Sequence, residues 1–241
     1  MIKFPTRNYW LFLLLLLAPL QPAEAQPTAA KRPAISPAPD SRVARRESEK
    51  AAIARTNLIV REIVEKSYPE LRETRIKIKT FDSRADYFRS RFSVARFLTF
   101  RKLDYLILVN PRIFEKDAPP DAAVRAIMAH ELAHVAYYEQ HNRFELLGLI
   151  GLLSNSFTAR FERGADLETI KRGYGEGLKK YREWLYRNIP AEKIAAKKRD
   201  YFSPEEIDLI LKATEEKPSL FDFWRKNIPR SLSEIEADTS V

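Results

Sequence analysis

From residue 126 to residue 138 the chain carries one formally charged side chain, Glu131, and that carboxylate stands between His130 and His134. The stretch has helical character: Ala122, Ala123, Val124, Ile127 and Met128 lead into it, and Val135 and Ala136 follow. A helix so poor in charge is expected at a domain centre, with neighbours on all sides. Pro119-Pro120 ends the preceding element, and Asp121 is the expected N-cap. Burying two imidazoles and a carboxylate is costly unless something satisfies them, and a metal ion is the natural partner.

The spacing of these groups suits that partner. His130-Glu131-Leu132-Ala133-His134 is an H-E-x-x-H motif. On a helix, residues four apart lie about 40° apart around the axis and ~6 Å along it. Both imidazoles can therefore point at one ion, with Glu131 beside them as a base for an attacking water.

A catalytic ion of this kind takes three protein ligands and keeps a fourth position open. The chain has no cysteine, and its only other histidine is His141. On a continuing helix His141 would lie ~10 Å beyond His134, too far to share the ion. Nor does the chain fit H-E-x-x-H-x-x-G-x-x-H, since Tyr137 stands at the glycine position and Gln140 at the third histidine. A carboxylate is therefore expected. Glu139 is turned well away on the helix. Glu162 is the better candidate: it lies in Phe161-Glu162-Arg163-Gly164-Ala165-Asp166, with Asp166 on its own face of the next helix. Gly164 costs a helix roughly 1 kcal/mol relative to alanine. That cost is reasonable if Gly164-Ala165 lets this helix approach the motif helix closely. Asp166 is then expected to reach the far nitrogen of a ligating histidine and hold its tautomer and orientation.

H-E-x-x-H followed by E-x-x-x-D on a later helix resembles the gluzincin metallopeptidases. The layout is similar to the group that includes the CAAX prenyl endopeptidase, its bacterial membrane and periplasmic relatives, and the minigluzincins. The resemblance runs over about residues 76–173; the long membrane helices of some members have no counterpart, and the flanking regions match nothing assignable. It implies a zincin-like fold, one Zn2+ held by His130, His134 and Glu162, Glu131 as the catalytic base, and Asp166 behind the ligands. It also implies an extended peptide or protein substrate held by strand addition at Tyr105–Val109 or a neighbouring sheet edge. An oxyanion donor is required as well; Tyr137, Tyr138, Tyr174 and His141 are all candidates for that role or for the rim.

The rest of the chain sets the context. Its 241 residues are 45% hydrophobic and 31% charged, which fits one globular domain with appendages. Without cysteine there is no disulfide and no thiol-based lipid anchor. Lys3 and Arg7 precede an apolar run over residues 10–20, and Ala23-Glu24-Ala25 follows. This is the grammar of a cleaved signal peptide covering residues 1–25. The run is short of the ~20 residues that span a bilayer, so an uncleaved anchor is the runner-up. An exported protein, periplasmic or extracellular, is expected. The net charge of +9 allows peripheral contact with membrane or envelope polymers. A nucleic-acid partner is not expected, because no recognition motif is present.

Residues 26–40, with Pro27, Pro33, Pro37 and Pro39, read as a flexible tether or pro-segment. Residues 41–66 read as a helix with an apolar stripe at Ile53, Val60, Ile63 and Val64. Strands are expected at 75–81, more weakly at 96–100, and at 105–109, where the continuous apolar run suggests burial on both faces. The apolar segment 144–153 is too short to span a bilayer and is expected to form a core helix or hairpin. Helices follow at 154–171, ended by Gly173 and Gly175, then at 178–188 and 203–216, the last opened by a capping box at Ser203. The expected fold is α+β and mainly helical, with residues 41–177 as the peptidase-like domain and 178–241 as a helical extension. Two other functions are compatible with these residues: a peptidase-like scaffold of the cell envelope, and a latent proenzyme whose C-terminal helices cover the cleft.

Overall fold

The computed structural model describes residues 39–83, 86–93, 96–97, 102–142, 146 and 155–240. The expected signal peptide, nearly all of the Pro-rich segment, and the 144–153 segment apart from the buried Leu146 lie outside them.

Helix α1 (Pro39–Ser67) buries Ala52, Ile59, Val60 and Ile63 along one stripe, with Val64 partly covered. It stops because Pro69 pushes the residue before it out of the helical region, and Tyr68 sits at φ −131°. Tyr68 is fully buried, and its hydroxyl donates to the carbonyl oxygen of Ala129 at 2.8 Å. The end of α1 is thus tied to the backbone beside His130.

Strands β1 (Ile76–Thr80), β2 (Phe88–Phe92) and β3 (Tyr105–Val109) form a sheet in the order β1-β3-β2. β1 runs parallel to β3, with Ile76 opposite Tyr105; β2 runs antiparallel, with Phe88 opposite Val109. Two expectations change. Arg96 and Phe97 are helical, not extended, and residues 98–100 lie outside the described residues. The place beside β3 is taken by Phe88–Phe92. This strand is hard to see in sequence because Arg-Ser-Arg fills its centre, yet charge is what an edge strand tolerates. β3 also alternates: Tyr105, Ile107 and Val109 are buried while Leu106 and Leu108 are half-buried.

Helix α2 (Asp121–Gln140) is buried at every residue from 126 to 136. Asp121 does not cap it. Pro120 holds the cap position, and the Asp121 carboxylate pairs with Arg55 at 2.7 Å. Against α2 lie β2, helix α3 (Asn155–Thr169) and helix α4 (Gly175–Asn188). Between α3 and α4 the segment Ile170–Tyr174 widens into a π-turn, and Gly173 makes the break at φ 87°. Gly175 does not end α3; it is the first residue of α4. The close helix crossing is not at Gly164, where an added Cβ would meet only Ile228 at 3.2 Å. It is at Gly177, where an added Cβ would lie 2.3 Å from the Ala122 carbonyl oxygen on α2.

Helices α5 (Ala191–Asp200), α6 (Pro204–Glu216), α7 (Leu220–Lys226) and α8 (Leu232–Thr239) complete the chain. The capping box opens α6: Ser203 Oγ accepts from the Glu206 N–H, and Glu206 Oε2 accepts from the Ser203 N–H at 2.7 Å. Helices α6, α7 and α8 share an apolar cluster with α3 and α4 that includes Leu167, Leu178, Phe202, Ile210, Trp224 and Ile235. Arg45–Val241 forms one compact unit, and Met1–Ala44 is a separate one, described only from Pro39 on. The fold is mainly helical with a small sheet, as α+β patterning predicts. Among the described residues no helix is long and apolar enough to cross a membrane.

Candidate metal centre

His130 and His134 project from the same face of α2, as their spacing requires, and Glu162 projects from α3 to meet them. His130 Nε2 and His134 Nε2 each lie 3.1 Å from Glu162 Oε2 and 3.2 Å from one another. Such a triangle of lone-pair atoms suits a small cation. Ligands held ~2.0–2.1 Å from a tetrahedral ion stand roughly 3.4 Å apart. The buried His130, His134 and Glu162 group can therefore hold a metal ion with little movement.

The rings are fixed from behind. Phe161 stacks on His134 with ring centres 4.5 Å apart. On its far side, His130 Nδ1 lies 2.8 Å from Asp166 Oδ1, a close contact that is poorly aligned as a hydrogen bond. Asp166 is itself wholly buried. Its Oδ1 accepts from Arg182 on α4 at 2.8 Å, and its Oδ2 accepts from the Phe202 N–H at 3.0 Å. This carboxylate thus joins α2, α3, α4 and the α5–α6 turn at one point.

Charge is balanced within this group. Burial alone would lower the His130 pKa, but Asp166 and then Glu162 outweigh it and raise it to about 9. Burial would raise the Glu162 carboxyl, yet the two histidines hold it well below its ordinary value. Asp166 is likewise pushed up by burial but held low overall by Arg182 and His130. A positive charge amid these groups is thus favoured, whether it is a proton or a metal ion.

Glu131 is 6% exposed and lines the same cleft of about 260 Å³ as His130, His134 and Glu162. One wall of this cleft is β2, through Phe88, Arg89, Ser90 and Arg91. Another is built by Tyr181, Arg182, Lys197 and Tyr201 from α4, α5 and the residue after it. Lys197 Nζ pairs with Asp86 at 3.0 Å, linking α5 to the approach to β2.

The four candidate oxyanion or rim residues stand elsewhere. Tyr138 is buried among Phe92, Tyr105 and Phe161. Tyr137 and His141 stack with ring centres 3.8 Å apart and line a second cleft of about 660 Å³, which meets the trio only at His134. The Tyr174 hydroxyl shares a 2.9 Å hydrogen bond with Ser67. Sequence reasoning missed Arg182, Lys197, Tyr201 and the β2 edge, which no motif marks. Comparison with family models, curated proteins and solved structures finds no match to this chain.

Proposed function

We propose that this chain is a zinc-dependent endopeptidase of gluzincin type, exported by its N-terminal segment. The observation that carries the reading is the preformed His130, His134 and Glu162 triangle, with Glu131 in the same cleft. Nitrogen and carboxylate donors in tetrahedral spacing suit Zn2+. When bound, that ion supplies a Lewis acid that polarises a carbonyl and lowers the pKa of water.

The chain's own residues supply the rest. Glu131 accepts the proton of the attacking water and returns it to the leaving amine. Asp166 holds the His130 ring in place from its far side. β3 is paired on both sides and cannot take another strand, but β2 is an edge that faces the cleft. In the β2–β3 ladder, Tyr87 O accepts from the Asn110 N–H and the Ser93 N–H donates to Asp104 O. By alternation the backbone N–H and C=O of Ser90 point to the open side, where an extended peptide can pair with them.

The test is metal content together with cleavage of an unfolded protein, with and without chelator. One zinc per chain and chelator-sensitive cleavage are expected, with Glu131→Gln keeping zinc and losing cleavage, and His134→Ala losing both. Wild-type protein without bound zinc, or cleavage indifferent to chelator, rejects the reading. Export is tested separately, by whether the exported product begins after Ala25.

A further inference from the structure

We propose that Tyr201 is the hydrogen-bond donor to the oxyanion that develops on the scissile carbonyl, a role that rests on the peptidase reading above. Peptide-bond attack turns a carbonyl oxygen into an anion, and a donor aimed at that position stabilises the transition state more than the substrate. The donor must share the cleft with the trio, be rigid and owe its proton to no other acceptor.

Tyr201 meets each condition. Its side chain lines the cleft with His130, Glu131, His134 and Glu162, and its ring centre is 5.8 Å from that of His130. The ring is held by cations: the Arg182 guanidinium lies 4.4 Å from its centre and Lys197 Nζ 5.0 Å. The backbone is pinned on both sides. The Tyr201 N–H donates to Lys197 O at 3.0 Å, and the next N–H, that of Phe202, donates to Asp166. The phenol supplies one O–H donor. That hydroxyl makes no hydrogen bond among the described residues.

Two other polar groups of the cleft, Arg182 and Tyr181, fit less well. Arg182 is drawn by its Nη2 to Asp166, behind the trio. Tyr181 is 3% exposed and packs into the core against Trp184. No proton is transferred in the proposed role; the phenol only donates a hydrogen bond that strengthens as charge develops.

The experiment is Tyr201→Phe in the full chain, which keeps the ring against both cations and removes only the O–H. Zinc content, kcat and KM for a fluorogenic peptide would be measured, along with affinity for a peptide phosphonate, whose tetrahedral anion resembles the reacting centre. The expected result is unchanged zinc, a kcat about 100-fold lower, a KM changed by less than about threefold, and at least about tenfold weaker phosphonate binding. Wild-type kcat in Tyr201→Phe, or loss of zinc in that variant, overturns the role of Tyr201 and leaves the peptidase reading standing. Wild-type protein that fails to cleave in a zinc-dependent way overturns both.

Discussion

At the scale of single residues, the centre depends on one carboxylate that touches no substrate. Asp166 holds the far nitrogen of His130, and Arg182 and the Phe202 N–H hold Asp166. Replacing such a group behind a metal ligand costs about 10–100-fold in metal affinity. Asp166→Asn should therefore weaken zinc binding by that factor, measured by competition with a chromogenic chelator, while Glu162→Ala should abolish it. Asp86, which lines the cleft and pairs with Lys197, gives a pH test. Burial would raise its pKa, but Lys197 and Arg89 outweigh it and hold it below the ordinary value of 3.8. A carboxylate whose folded pKa is depressed contributes stability above its unfolded pKa, and that contribution disappears as pH falls through the folded value. Wild type should exceed Asp86→Asn in denaturation midpoint at pH 7, and the difference should shrink as pH falls through the depressed folded value.

At the scale of elements, α2 is positioned by close approach and the β2 edge by pairing. Gly177 brings α4 onto the α2 backbone, with no room for a methyl group at Ala122. Gly177→Ala should cost about 1–3 kcal/mol through overpacking, read as a lower denaturant midpoint. The edge strand makes a different prediction. Ser90 does not use its N–H in the β3 ladder, so Ser90→Pro should leave fold and zinc intact and raise KM several-fold. An unchanged KM would remove β2 from substrate binding. Of these elements, α2 and the capping box of α6 were legible in sequence, because each depends on residues within a turn or two of one another. β2 was not legible, since its burial pattern is set by the β3 partner and by its place at the edge.

At the scale of the whole molecule, the helices after Gly177 meet the candidate metal centre from behind. Arg182 and Phe202 reach Asp166, Arg163 pairs with the buried Glu206 at 2.9 Å, and Tyr201 enters the cleft wall. A latent proenzyme would gain activity when these helices are removed. Their contacts with Asp166 predict the reverse: a chain ended at Gly177 should lose zinc and cleavage, as measured by metal content and peptide hydrolysis. Greater activity in the shortened chain would restore latency.

The sequence by itself determined the chemistry available: two imidazoles one helical turn apart, a carboxylate between them, no thiol, and a helix too apolar for any place but the centre. Those properties follow from helical periodicity and from the cost of burying charge, both of which act over a few residues. Tertiary structure decided that Glu162 closes the triangle, that Asp166 is shared by Arg182 and Phe202, that β2 is the edge of the described sheet, and that Tyr201, and not Tyr137, Tyr138, Tyr174 or His141, lines the cleft with the trio. Each of these is a meeting of segments remote in sequence. Such meetings are set by how whole helices pack, through contacts such as Gly177 on Ala122, which no local pattern encodes.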